Sequence, residues 1–178
     1  MFGLGWNAYS RTMLVRPLVP ADLDVCTVMN NDAVPAVSEA DTIKMQSLVD
    51  ESLLSLVAEH EGVVVGFCIN FSPGADYHSP NYLWFCDRYT DFAYLDRIVV
   101  SPAARNLGIG AALHAELEMR IAGTPWLLCE VNLRPRNDGS LRFHARLGFV
   151  EVGQQETPYG VLVSMLAKDL RPPAVAAR

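Results

Sequence analysis

A glycine-bearing turn between an apolar strand and a helix constrains this chain more than any other feature. The chain runs from Leu95-Asp96-Arg97-Ile98-Val99-Val100 through Ser101-Pro102-Ala103-Ala104 into Arg105-Asn106-Leu107-Gly108-Ile109-Gly110-Ala111-Ala112-Leu113. The first amides of a helix have no intrahelical acceptor, and the aligned peptide dipoles add positive potential at the same end. Gly108 and Gly110 remove side chains that would hold an anion away from those amides, and Arg105 adds a positive charge beside them. Such a handover can seat a phosphate or pyrophosphate, and it demands an α/β fold in which the strand feeds the helix directly.

The pattern excludes two common phosphate binders. The dinucleotide fingerprint needs a third glycine where Leu113 stands, and the nucleoside-triphosphate loop needs a Gly-Lys-Ser/Thr ending that is absent. Arg105-x-x-Gly108-x-Gly110, straight after Val100-x-Pro102, instead resembles the acetyl-CoA-binding signature of the GNAT superfamily of N-acetyltransferases. A second match lies downstream in register: Asn137-x-x-Ser140-x-x-Phe143-His144-x-x-Leu147-Gly148-Phe149 resembles that superfamily's other signature, with His144 at the usual tyrosine position. The resemblance spans residues 12–168 and is weakest in the N-terminal third.

It implies an α/β fold of the α+β type, with a mixed, mostly antiparallel sheet flanked by helices and splayed at its central strands. The cofactor implied is acetyl-CoA (coenzyme A), its pyrophosphate on Arg105, Asn106, Leu107, Gly108, Ile109, Gly110 and Ala111. Its pantetheine arm would pair with the backbone of Ile98, Val99 and Val100. Asn137, Ser140 and Phe143 are implied as further coenzyme contacts, although Asn137 and Ser140 are equally suited to capping a helix.

The elements read in order support that frame. Residues 12–18 alternate as a first strand, with Pro17 suggesting a sheet edge. A helix follows from Pro20, with Leu23, Cys26, Thr27 and Asn30 on one face, and a second from Asp41 or Thr42 to about Ser52, turning Ile43 and Leu48 inward with Met45 and Val49 as further candidates. Strands 53–60 and 63–71 flank Glu61-Gly62 as a hairpin. A helix over 108–121 carries Leu113, Leu117 and Ile121, a buried strand spans 126–132, a helix starts at Asn137 or Asp138 and stops at Gly148, and strands 150–157 and 160–167 close the chain. Residues 1–11 are expected to be flexible and 169–178 to be a disordered tail, leaving 12–168 as one domain.

Residues 72–92 read as a long connection, the kind that often forms a lid or binding loop. Its aromatics Tyr77, Tyr82, Trp84, Phe85, Tyr89 and Phe92, with Tyr82, Trp84, Phe85 and Tyr89 foremost, are candidates for a wall of the acceptor pocket; the alternative is that they anchor the loop on the core.

The implied reaction is attack by a neutral amine on a thioester, through a tetrahedral intermediate, with a strand amide near Val99 or Val100 facing the oxyanion. An unperturbed alkylamine has a pKa of about 10.4, so a base helps. Asp96 and Glu130 are candidate bases because both are acids within apolar strands, where burial raises a carboxyl pKa. The alternative for Asp96 is an ion pair, although adjacent strand residues point to opposite faces, which argues against Arg97 as its partner. The balance favours function for Asp96 and a structural role for Glu130. His144, at the tyrosine position, is a candidate general acid toward the coenzyme thiolate. Cys129 reads as a buried apolar cysteine.

Composition narrows the partners. Hydrophobic residues make up 51% of the 178 and charged residues 19%, and no apolar run is long enough to span a bilayer. A net charge of -6 and a pI near 5.1 argue against nucleic acid and for cationic ligands. Four dispersed cysteines and an N-terminus unlike a secretion signal suggest a cytoplasmic protein, with no metal site. The expected activity is an acyltransferase acting on a small-molecule amine, with a homodimer left open as its oligomeric state. The alternatives are an acyl-CoA-binding sensor without turnover and a plain phosphate- or nucleotide-binding protein.

Overall fold

A computed structural model of the chain describes residues 13–172. Strands β1 (Met13–Pro17), β2 (Leu54–His60), β3 (Val63–Phe71), β4 (Ala93–Val100), β5 (Trp126–Arg134), β6 (Val150–Glu156) and β7 (Leu162–Asp169) form one seven-stranded sheet in the order β1-β2-β3-β4-β5-β7-β6. Every neighbouring pair is antiparallel except β4 and β5. Helices α1 (Leu23–Asp32), α2 (Thr42–Asp50), α3 (Pro80–Cys86), α4 (Ile109–Arg120) and α5 (Asp138–Arg146) complete the fold.

The parallel pair is where the sheet opens. β4 and β5 are in register only at Ala93↔Leu127 and Tyr94↔Leu128, after which they diverge. Beyond Tyr94, β4 keeps its hydrogen bonds to β3 and presents an unpaired backbone edge toward β5. The expected splay between the strands of Ile98 and Glu130 is therefore present.

Helix α4 packs against this frame with Ile109, Leu113, Leu117 and Ile121, four apolar residues one turn apart and all nearly inaccessible. Burying side chains of this size stabilises by roughly 1.5–3 kcal/mol each. Close approach needs Gly66 in β3, where a Cβ would lie 3.0 Å from the Val99 carbonyl oxygen and 3.1 Å from the Ile109 side chain. At the opposite edge, β1 ends in Pro17, and Arg16 pairs with Asp22 at 2.7 Å and Glu59 at 2.6 Å, tying the strand to the start of α1.

Several expectations change. The 72–92 connection is not structureless: it contains α3, begun by Pro80 at its first turn, where a missing amide proton costs nothing. In α2, which starts at Thr42 as expected, Leu48 and Met45 face inward, whereas Ile43 is 82% exposed, because Met45 and Leu48, three residues apart, define the buried face and Ile43 lies off it. In α1, Met29 rather than Thr27 completes the buried face. Residues 169–172 are not a tail: β7 reaches Asp169, the Leu170 amide donates to the Pro125 carbonyl at 2.9 Å, and the Arg171 guanidinium lies 4.7 Å from the Trp126 ring. Thr12, the N-terminal segment 1–11 and residues 173–178 lie outside the described residues.

Asp96 and Arg97 do pair, with Arg97 Nε 2.6 Å from Asp96 Oδ2. A register irregularity between Ile69 and Asn70 leaves Asp96 without an opposing residue in β3. Such a bulge breaks the strict alternation of faces and lets consecutive side chains meet.

Candidate functional site

At the end of β4 the chain turns through Pro102-Ala103-Ala104 and enters α4. Asn106 (φ 65°) and Gly108 (φ 81°) both adopt left-handed backbone, and Gly108 is the N-cap. No side chain caps this helix, and the amides of Ile109, Gly110 and Ala111 have no intramolecular acceptor among the described residues. Gly110 lets α5 come close: a Cβ there would lie 3.0 Å from the Phe143 ring. The α4 start is thus held open as a donor surface with an aromatic ring beside it.

A cavity of about 770 Å³ follows this surface. Of the expected coenzyme contacts, Ile98, Val99, Val100, Arg105, Asn106, Gly108, Ile109, Gly110, Ala111, Asn137, Ser140 and Phe143 all line it, while Leu107, 41% exposed, does not. Asn137 also caps α5, its side chain accepting from the Ser140 amide at 3.1 Å, so its capping and site-lining positions coincide. Arg142 and Arg146, one turn apart on α5, join Arg105 on the wall. Three guanidinium groups and a row of free amides suit a long, multiply anionic ligand. A volume of this size is in the range of cofactor pockets.

A smaller cavity of about 70 Å³ continues from it into the gap between β4 and β5. The two share Ala33 and Ala36 from the link between α1 and α2, Ile98 from β4, and Asn137 and Ser140 from the start of α5. The link is tied down on both sides: Asn30 donates to the Ser38 carbonyl at 3.0 Å, and Asn132 of β5 donates to the Pro35 carbonyl at 2.9 Å. Asp96, Glu130 and His144, the three candidate catalytic residues, all line the smaller cavity.

Glu130 projects from β5 and is held at both oxygens. Asn81 of α3 donates to Oε1 at 2.9 Å, the Tyr94 hydroxyl donates to Oε2 at 2.7 Å, and Gln155 of β6 donates to the Asn81 carbonyl oxygen at 2.9 Å. Burial and then the nearby Asp96 charge push the Glu130 carboxyl up to about 7, against the pull of these hydrogen bonds. Asp96 accepts from the Tyr77 hydroxyl at 2.5 Å as well as from Arg97, whose remaining nitrogens donate to Asn30 Oδ1 at 2.8 Å and Ser38 Oγ at 3.3 Å. Asp96 therefore sits in a structural network, and Glu130 is the acid whose affinity for a proton is tuned to neutrality.

His144 is 2% exposed. Its Nδ1 lies 2.9 Å from the Ser140 carbonyl oxygen, to which it can donate, and 3.2 Å from the Ser140 hydroxyl, from which it can accept. Nε2 is buried and has no partner among the described residues. Burial lowers the imidazole's proton affinity, keeping it neutral. His114 packs against it with ring centroids 5.5 Å apart, and both His114 nitrogens are unpartnered. Cys129 is buried and its thiol is pushed well above the ordinary range by burial, as suits an inert core cysteine.

The aromatic wall expected from residues 72–92 is corrected. Tyr82 (2% exposed) and Phe85 (0%) lie in the core, where the Tyr82 hydroxyl donates to the Ser72 carbonyl at 2.7 Å. Trp84 packs on β6, where a Cβ at Gly153 would lie 2.7 Å from its ring, and Tyr89 packs edge-on to Trp126 at 5.4 Å. None of the four lines either cavity. Apolar rings at one-turn spacing on a short helix bury themselves first. What this stretch does bring to the site, Tyr77 to Asp96 and Asn81 to Glu130, is polar. Sequence reasoning counted Tyr77 among the aromatics of this stretch but missed Asn81, as well as Tyr94, Gln155, Arg142 and Arg146; of those missed, only the arginine pair, repeated at i and i+4 within the second motif, left a readable signal.

The model of the Acetyltransferase (GNAT) family matches residues 25–149. Among curated proteins, phosphinothricin N-acetyltransferase of Alcaligenes faecalis is 29% identical over 109 residues, 60% of this chain and 49% of that protein. The chain thus spans about half the length of the curated relative it matches. Among solved structures, Ard1 from Thermoplasma volcanium superposes with a TM-score of 0.73 at 17% identity, over 90% of this chain and 99% of that one. The yncA protein of Salmonella typhimurium, solved with its cofactor acetyl-CoA, gives a TM-score of 0.67 at 22% identity, over 93% and 98% of the two chains. At these identities the structural likeness speaks for the fold.

Proposed function

Because this chain belongs to the GNAT family of acetyltransferases, we propose that it transfers an acetyl or other short acyl group from acyl-CoA to the amine of a small molecule by direct attack. The observation that carries this reading is the adjacency of the two cavities, which share five lining residues and set an anion-ready helix start beside a carboxyl whose pKa is pushed up to about 7. The free amides of Ile109, Gly110 and Ala111 would hold the pyrophosphate, with Arg105, Arg142 and Arg146 balancing the coenzyme's charge. The unpaired edge of β4 from Ile98 to Val100 would take up the pantetheine arm as a strand pairs with its neighbour. Bound acetyl-CoA supplies the activated acyl carbon and a thiolate leaving group.

The rest of the chemistry falls to the chain. Glu130, ionised above about pH 7, accepts the proton that the acceptor's ammonium must lose. Asn81 and Tyr94 fix the carboxylate's orientation. The β4 amides at Val99 or Val100 are donors for the developing oxyanion. His144, neutral at rest beside the same cavity, would take the proton that the tetrahedral intermediate's nitrogen loses and return it to the departing sulfur.

The test is to incubate the protein with acetyl-CoA and a panel of amines while following free thiol. Thiol release that depends on amine is expected. Coenzyme binding without thiol release on any amine would favour a sensor instead, and equal affinity for ADP and coenzyme A would reduce the site to a phosphate binder. The similarity to phosphinothricin N-acetyltransferase places amino-acid-like amines on that panel beside simple ones.

A further inference from the structure

The link between α1 and α2 is closed on itself and gripped from two strands. Its ends meet through two asparagines at the end of α1. Asn30 donates to the Ser38 carbonyl at 3.0 Å, and Asn31 donates to the Ala40 carbonyl at 2.8 Å while accepting from the Ala40 amide at 3.1 Å. Arg97 of β4 holds this base, donating to Asn30 Oδ1 at 2.8 Å and to Ser38 Oγ at 3.3 Å. Asn132 of β5 holds the tip, donating to the Pro35 carbonyl at 2.9 Å, and its side chain makes no other hydrogen bond among the described residues.

Both anchors lie where the sheet is open. The last paired positions of β4 and β5 are Tyr94 and Leu128, and Arg97 and Asn132 follow them on the diverging stretches. There the two strands no longer hold each other by ladder hydrogen bonds, and the link spans them instead. Ala33 and Ala36, between base and tip, line both cavities, and Val37 lines the smaller one. The strap thus crosses the junction at which a thioester and an acceptor would meet.

Stability alone does not account for Arg97, which is nearly inaccessible and paired with Asp96. Replacing a buried ion pair by apolar residues of similar volume is often neutral for stability. What apolar residues lack is the planar fork that reaches Asp96 on its own strand and two acceptors on the link at once.

We infer that Arg97 and Asn132 are positioning residues: they fasten the α1–α2 link across the split between β4 and β5, and the link so held is the wall against which the acceptor is placed. The inference rests on the acetyltransferase reading and deepens it, since the link supplies the wall that the aromatics of residues 72–92 do not. Two variants release the two anchors. Asn132→Ala removes the tip's hydrogen bond at a half-buried side chain, and Arg97→Lys keeps a charge beside Asp96 but loses the fork. Amide hydrogen exchange, read by mass spectrometry, should be at least about tenfold faster over residues 33–40 in each variant and unchanged over residues 163–167 of β7. In thiol release from acetyl-CoA with ethylamine, tyramine and alaninamide, the amine KM should rise at least about fivefold with kcat within about twofold, because the link places the acceptor and supplies no reacting group. The anchors act in series on one strap, so the double variant should be no worse than about twice the more affected single one; fold-changes that multiply would mark two independent losses and contradict the strap. Unchanged exchange in both variants, or a fall in kcat with KM unmoved, overturns the inference, while amine-dependent thiol release by the wild type leaves the acetyltransferase reading standing. Where Arg97→Lys does not fold, Asn132→Ala decides alone. A wild type that releases no thiol with any of the three amines overturns the acetyltransferase reading, and the exchange measurement then decides the strap by itself.

Discussion

At the scale of single residues, the chemistry depends on Glu130 being a carboxyl whose protonation changes near neutrality. Burial and the Asp96 charge raise it to about 7, so its basic form accumulates as pH rises through that value. The rate with a simple amine should accordingly climb with pH on a limb centred near 7. In Glu130→Gln that limb should vanish and kcat fall by about 10²–10⁴-fold, the usual contribution of a positioned base; stopped assays across pH 5.5–8.5 read both effects, and a retained limb would assign it elsewhere. His144→Ala should lower kcat with little change in coenzyme A affinity, which single-turnover kinetics and calorimetry would separate. Of these residues, the sequence displayed Glu130 and Asp96 alike, as acids in apolar strands. What distinguishes them is tertiary: Arg97 meets Asp96 through a strand bulge, and Asn81, far away in the chain, meets Glu130. Neither a bulge nor a partner of that separation leaves a periodic trace in sequence.

At the scale of elements, the strand–turn–helix unit of β4 and α4 was readable in detail because its requirements are local: glycine for left-handed backbone and for close approach, proline to break the strand, apolar residues one turn apart. Gly108 and Gly110 serve different ends. A Cβ at Gly108 would meet nothing within 4 Å, but its φ of 81° disfavours any L side chain. Gly108→Ala should therefore cost about 1–2 kcal/mol of stability, a drop in Tm of roughly 2–4 °C per kcal/mol for a chain of this length, measurable by calorimetry. At Gly110 the backbone is unstrained and the obstacle is the Phe143 ring 3.0 Å away. Gly110→Ala should displace that ring from the cavity wall and weaken coenzyme A binding more than it lowers Tm. Helix α3 was the element hidden from sequence. Pro80, the natural first-turn residue, was its only clear signal within a stretch whose aromatics read as either loop or wall.

At the scale of the molecule, the cleft exists because one parallel pairing in an otherwise antiparallel sheet is abandoned after two residue pairs, and α4, α5 and the α1–α2 link close around the gap. The histidines behind it make stability depend on pH. His114 is 1% exposed, and burial, with His144 and Lys168 nearby, lowers it from 6.5 to about 3. A folded-state pKa below the unfolded one means the stabilising contribution is complete above about 6.5 and is lost as pH falls toward 3, because only the unfolded chain binds the proton. Relative to His114→Leu, the wild type should lose about 1.4 kcal/mol per pH unit over that window, read from urea unfolding at a series of pH values; a constant difference would mean that His114 titrates normally. The whole account turns on the two cavities being one ligand path, and a crystal structure of the protein with coenzyme A examines that directly. The pyrophosphate should lie on the amides of Ile109 to Ala111 and the sulfur in the gap between β4 and β5, facing Glu130 and His144. A coenzyme bound elsewhere, or with its sulfur turned away from that gap, would contradict the account.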